Sequence, residues 1–199
     1  MINDLIKTSM DSLKAINVKT ERNLQTFCFG DKKTCMYYFE MVFREVDKTN
    51  SFCWLPEYEK IIDWMQDTNG KGLFLHGDCG RGKSTILCSV MPVLFHMFFK
   101  KTIIPVHADF LVSEYMRLVK NGFCNMIDEL GVEEQVTNYG EPFEPFNKII
   151  NAAEASTKLL FITTNLTPKQ LLDRYGERTL DRIARLCKSI EFKGDSLRK

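Results

Sequence analysis

The sequence predicts an α/β fold in which a five-stranded parallel sheet is covered by helices on both faces. Three observations carry that expectation. From Pro56 onward, short apolar runs alternate with segments of helical periodicity, the rhythm of strand and crossover helix. The first such run, LFLH at 73–76, breaks at once into the glycine-rich turn GDCGRG and then KST. Finally, 199 residues with 44% apolar and 27% charged side chains, free of internal repeats or low-complexity tracts, suit one main globular core.

In chain order, a helix is expected near Asn3 to Ile16, then a polar stretch, then a helix from Thr34 to Val46. Met36, Phe39, Phe43 and Val46 share one face of that second helix, while Tyr37, Tyr38, Met41 and Val42 make the other apolar, a pattern for burial between two surfaces. Residues 1–56 therefore read as a small helical extension that could bind a partner, and residues 57–199 as the catalytic core. Glu57 to Gln66 is helical, Asn69 and Gly70 make a turn, and Gly72 to His76 is the first strand.

A helix should begin at Lys83, with Pro92 ending or kinking it because proline lacks an amide hydrogen and clashes with the preceding turn. Thr102 to His107 reads as the second strand, Asp109 as the cap of a helix to Val119, and Phe123 to Ile127 as the third strand. Residues 131–145 form a loop rich in Glu and Pro. Phe146 to Ala155 is helical, Leu159 to Thr163 is the fourth strand, residues 169–187 hold one or two helices, and Ser189 to Lys193 is the fifth strand.

Composition excludes several classes. A formal net charge of +1 gives no bulk case for nucleic acid, although a local basic surface remains open. Seven cysteines without C-x-x-C or zinc-finger spacing suggest reduced thiols in a cytoplasmic protein. Acidic Asp4 and the lack of a long apolar run argue against a signal peptide, and nothing reaches membrane-spanning length.

The chemistry concentrates at three points. Gly77, Gly82, Lys83 and Ser84 fit G-x-x-x-x-G-K-[ST], the phosphate-binding loop or Walker A motif. Across Gly77, Asp78, Cys79, Gly80, Arg81 and Gly82 the glycines let backbone amides turn toward phosphate oxygens, and the following helix presents its positive end. Lys83 adds a full charge, Ser84 a hydroxyl for a magnesium ion, and Thr85 a secondary phosphate contact. The second point is Asp128 and Glu129, closing the third strand in FCNMIDEL, with Asp128 suited to hold magnesium through water and Glu129 to deprotonate an attacking water. Third, Thr164 and Asn165 end the fourth strand, where a neutral amide can orient water beside a terminal phosphate. Further on, Arg178, Arg182 and Arg185 share a helical face, either solvated beside Glu177 and Asp181 or offered to a neighbour's phosphate.

The series GDCGRGKST, MIDELG, ITTNL with YGERTLDRI, and GDSLR resembles the AAA+ ATPase core of bacterial helicase loaders of the DnaC type, a pattern shared with IstB-type transposition helpers. It spans about residues 57–198. The resemblance implies a P-loop NTPase fold of AAA+ type without a full carboxyl-terminal lid domain, and ATP and magnesium as cofactors. It places Lys83 and Ser84 at phosphate and magnesium, Asp128 and Glu129 as the Walker B pair, and Asn165 as sensor 1. Arg178 and Arg182 match the arginine-finger segment, with Arg182 the first choice, and Arg198 resembles a late sensor 2 arginine.

The function so implied is an ATP-hydrolysing DNA-replication protein that forms nucleotide-dependent homo-oligomers, engages single-stranded DNA and hands over a hexameric replicative helicase. From Pro168 to Lys199 nine Lys or Arg stand against five Asp or Glu, in keeping with a DNA-facing surface. A transposase partner is the first alternative. A second is a nucleotide-dependent binding switch with little hydrolysis, motivated by the polar Asn125 in the third strand and the short segment before Asp128. A small-molecule kinase is disfavoured, because the Asp128, Glu129 and Asn165 set suits activation of water and no acceptor site or lid is visible.

Overall fold

The computed structural model describes residues 2–16, 24–47, 52–120, 122–134, 136–138 and 141–197. Helix α1 (Ile2–Ala15) buries no side chain. Helix α2 (Lys32–Val46) is capped by Asp31, whose carboxylate accepts from the Thr34 amide at 2.8 Å. Helix α3 (Pro56–Gln66) leads through Asn69 and Gly70, both at positive φ, into β1 (Gly72–Gly77). A continuous helical run over 83–99 follows, composed of α4 (Lys83–Thr85), a π turn (Ile86–Val90) and α5 (Met91–Phe99).

Strand β2 (Val106–His107) leads through a 3-10 turn (Ala108–Phe110) into α6 (Leu111–Lys120), and β3 (Cys124–Asp128) comes next. A small antiparallel hairpin, β4 (Val136–Asn138) and β5 (Glu141–Phe143), precedes α7 (Pro145–Ser156) and β6 (Leu159–Thr164). Helices α8 (Pro168–Tyr175) and α9 (Glu177–Leu186) then lead to β7 (Cys187–Phe192).

The main sheet has the order β2-β3-β6-β1-β7 with every pairing parallel. Its strands alternate between two cores, as side chains on a pleated strand must. Leu73 and Leu75 of β1, Met126 of β3, and Leu159 and Phe161 of β6 face one side. Phe74, Ile127, Leu160 and Ile162 face the other. The first core is aromatic and is filled by α2, α3 and α5, with Phe39, Tyr58, Trp64 and Phe95 fully buried. The second is mostly aliphatic and lies under α6, α7, α8 and α9. The five parallel strands and the two-sided cover expected from the sequence are both present.

Several local expectations change. Pro92 does not end its helix: the π turn just before it, closed by the Met91 amide on Ile86 O, absorbs the missing proline donor, and the helix continues to Phe99. The second strand shrinks to Val106–His107. Asp109 is not the cap, since His107 occupies that place and its ring accepts from the Asp109 amide. Helix α2 is buried on one side only. Phe39, Val42 and Phe43 enter the core, whereas Tyr37 and Met41 stay exposed.

Nor does packing divide at residue 56. Phe29 is 1% exposed, its amide donates to Met65 O, and Phe29, Phe39 and Phe43 belong to the same core as Leu73. The stretch read as polar between the first two helices thus supplies core aromatics, and α2 is a layer of the α/β unit.

Candidate functional site

Parallel strands deliver their carboxyl ends to one edge of the sheet, the edge at which open α/β folds bind ligands. Because β6 lies between β1 and β3, residues following those three strands become neighbours there: Gly77 onward, Glu129, and Asn165. Strand β2 adds His107, in register with Asp128.

The phosphate loop has the backbone its glycines require. Gly77, Gly80 and Gly82 lie at φ of 111°, 74° and 83°, a region costly for residues with a Cβ. At Gly80 a Cβ would also come within 2.1 Å of Ser196 Oγ. Lys83 is buried, its ammonium donating to Gly77 O at 2.8 Å and Asp78 O at 2.7 Å, which fixes the positive charge inside the turn. Arg81 does not line this turn. Its guanidinium points away, to the Glu57 carboxylate at 2.9 Å and Asp195 O at 3.4 Å.

The acidic pair is set by a residue the sequence reading passed over. Thr163 Oγ1 donates to Asp128 Oδ1 at 2.5 Å and accepts from the Glu129 amide at 2.8 Å, while the Leu130 amide donates to Thr163 O at 2.8 Å. Thr164 continues the clamp, donating to Leu130 O at 2.6 Å and accepting from the Leu166 amide at 3.1 Å. Glu129 takes a positive φ of 56°, a conformation uncommon for a residue with a side chain. Its carboxylate meets His107 Nε2 at 3.2 Å, and His107 Nδ1 lies 3.3 Å from Asp109 Oδ2.

The π turn links the two motifs. It sets Cys88 against Asp128, and burial together with that carboxylate pushes the Cys88 thiol up to about 12. The loop after Glu129 is anchored to α8: Arg174 donates to Gly131 O at 2.8 Å and to Glu133 O, and Tyr175 donates its hydroxyl to the buried Glu133 carboxylate. Asn165, at the end of β6, is exposed at the same edge.

The arginine row is placed differently. The Arg182 side chain is only 13% exposed and pairs with Glu154 of α7 at 2.9 Å; Arg185 reaches the other oxygen of Glu154 at 2.8 Å and Asp181 at 3.1 Å. Arg182, the first choice for a finger from the sequence, is thus held against α7 by Glu154. Arg178, one turn nearer the start of α9, is exposed and has no partner among the described residues. Arg198 lies outside the described residues.

The donor set fits a nucleoside triphosphate with a divalent cation: a glycine cradle backed by a lysine, with Ser84 on the helix after the loop and Asp128 at the end of β3. Among the described residues no cluster of three or more His, Cys, Asp or Glu could hold a metal, so a cation would rely on Ser84, Asp128 and the phosphates themselves. No helix among them is long and apolar enough to cross a membrane.

The sequence matches no protein-family model and no curated protein. Solved structures do share its architecture. They include the DnaC helicase loader, 17% identical with a TM-score of 0.60 over 76% of this chain and 98% of that one. DnaI is 21% identical with a TM-score of 0.52 over 90% and 88% of the two chains. A candidate primosome component from Streptococcus pyogenes serotype M3 is 18% identical with a TM-score of 0.52 over 85% of each. What is common at such identities is the fold, a parallel sheet covered by helices on both faces.

Proposed function

We propose that this chain is a nucleotide-dependent ATPase of the helicase-loader kind, which assembles on itself, engages single-stranded DNA and delivers a replicative helicase. The observation that carries it is the convergence of three motifs, far apart in sequence, on one sheet edge: the Lys83 loop, the Asp128–Glu129 pair clamped by Thr163, and Asn165. The loop amides and Lys83 would bind the phosphates, with Lys83 carrying charge developing on the transferred group. A magnesium ion held by Ser84 and Asp128 would neutralise phosphate charge. Glu129 would take the proton of the attacking water, and Asn165 would orient that water.

Arg178, exposed on α9, is the group on this chain best placed to reach a neighbour's phosphate, while Arg182 anchors the helix through Glu154. The basic excess of the carboxyl-terminal segment suits a single strand, whose binding should weaken with salt. The DnaC, DnaI and primosome neighbours favour a helicase as the partner. Affinity capture from the host with an ATP analogue checks this, and recovery of a transposase in its place would select the transposition-helper alternative.

One contact favours the low-turnover switch as a second reading. The His107 ring holds Glu129 Oε2 at 3.2 Å, a bond that restrains the carboxylate that would take the proton of water. The founding test is an ATP titration. Wild type should bind magnesium-ATP, and Lys83→Ala should bind it about ten- to a hundredfold more weakly, the loss expected for charge-assisted contacts. Equal affinity in a folded variant would refute the phosphate site.

A further inference from the structure

The side of the phosphate loop that faces away from the sheet edge is held by the residues that follow β7. The Asp78 amide donates to Phe192 O at 2.8 Å, and the Asp78 carboxylate accepts from the Gly194 amide at 2.8 Å. Leu197 donates its amide to Gly80 O at 3.0 Å, and Arg81 reaches Asp195 O at 3.4 Å. None of these bonds uses a loop amide between Cys79 and Ser84. The segment therefore grips the loop by the Asp78 amide, carbonyls and side chains, and leaves to a phosphate the amides from Cys79 to Ser84.

A third element closes the arrangement. Glu57, at the start of α3, is 7% exposed and Arg81 is 8% exposed. One oxygen, Glu57 Oε1, accepts both from Arg81 Nη2 at 2.9 Å and from the Lys193 amide at 3.1 Å, so a single carboxylate ties the loop to the carboxyl-terminal segment. The fit has no slack. A Cβ on Gly80 would strike Ser196 Oγ, and one on Gly194, which sits at φ 122°, would come within 3.1 Å of Arg81 Nη1. A buried charge pair that loses one member leaves the other uncompensated, so this tie resists partial opening.

We propose that Glu57 is a positioning residue and that residues 193–197 form a strap, together holding the phosphate loop in its binding conformation, so that strap docking and nucleotide binding reinforce each other. The consequence for nucleotide rests on the phosphate-site reading above, whereas the clamp itself does not. Linkage requires the effect to run both ways: a docked strap raises nucleotide affinity, and bound nucleotide protects the strap. Anything that draws residues 193–197 away would then release nucleotide without touching a phosphate contact.

The test is amide hydrogen exchange on the full chain, combined with titration of magnesium-ATP, for wild type, Glu57→Gln and Gly194→Ala. The two substitutions lie on different elements, so one remains informative if the other fails to fold. Without nucleotide, each variant should exchange the hydrogen-bonded amides of residues 78, 194 and 197 roughly tenfold faster while β3 and β6 keep wild-type protection. Each should also bind ATP roughly tenfold more weakly, the size of one lost charge-assisted contact, and ATP should slow strap exchange in wild type. Unchanged loop exchange in both variants overturns the clamp. A loosened loop with unchanged ATP affinity overturns the positioning role. If loop and strap loosen together but wild type binds no ATP, the clamp stands and the phosphate-site reading falls.

Discussion

The phosphate loop and the arginine row of α9 both place cations at regular spacings, yet folding treats them in opposite ways. In the loop, Lys83 is fixed by Gly77 O and Asp78 O, and even Arg81, which faces away from the site, is committed to Glu57 and the strap. On α9, three arginines of one helical face meet two fates: Arg182 and Arg185 converge on Glu154, while Arg178 stands exposed. The difference is one of what spacing encodes. Glycine spacing dictates backbone shape, which the loop carries wherever it sits. Helical spacing dictates only a shared face, and what that face meets is decided by another element, here α7.

The largest effect that could break this contrast is catalytic. If Arg178 serves a neighbouring subunit, Arg178→Ala should keep nucleotide affinity but lose roughly a thousandfold or more of assembly-dependent hydrolysis, the scale of a trans arginine. Mixing it with Lys83→Ala, which lacks its own site but keeps its arginine, should restore part of the rate. No recovery from variants that co-assemble would return Arg178 to the solvated surface.

Next comes the acidic pair. Glu129→Gln should retain magnesium-ATP and hydrolyse it about a hundred- to ten-thousandfold more slowly, since the amide keeps the shape but takes no proton. Single-turnover rates measure this, and an unchanged rate would remove Glu129 from the base role. His107 gives the contrast a finer edge, because a base released from its ring should work faster: a rise in turnover for His107→Ala would favour the switch reading.

What the sequence made legible follows the same division. The loop after β1, the acidic pair at the end of β3 and the alternation of strands and helices are local patterns, and they follow in that order in the structure, with the second strand shorter than expected. Thr163 was passed over because a threonine ending a strand has no signature of its own; only the β3–β6 register sets it against Asp128. The clamp of Glu57, Arg81 and residues 193–197 joins positions more than a hundred apart for the strap contacts, beyond any periodicity. The hairpin β4–β5 sits in a segment rich in Glu and Pro, residues depleted from strands, and reads as loop. At Pro92 the choice between an end and a kink was open to the sequence, and a π turn just before the proline lets the helix continue to Phe99.

The smallest effect separates anchoring from catalysis on α9 itself. Arg182 and Glu154 are 13% and 16% exposed, so solvent screens their pairing only in part, and the bond ties α9 to α7 over the aliphatic core. Removing the guanidinium does not strand Glu154, because Arg185 still reaches its second oxygen. The cost of Arg182→Ala should therefore stay near 1 kcal/mol, below the roughly 3–5 kcal/mol of an orphaned buried charge. In a chain of this length that is about 2–4 °C in melting temperature, read by calorimetry. Removing Arg185 as well should cost more than the two single losses summed, since only then does the carboxylate lose both guanidiniums. An Arg182→Ala chain that melts as wild type does but loses assembly-dependent hydrolysis would reverse the assignment, with Arg182 as the finger and its bond to Glu154 as the resting position from which it is released.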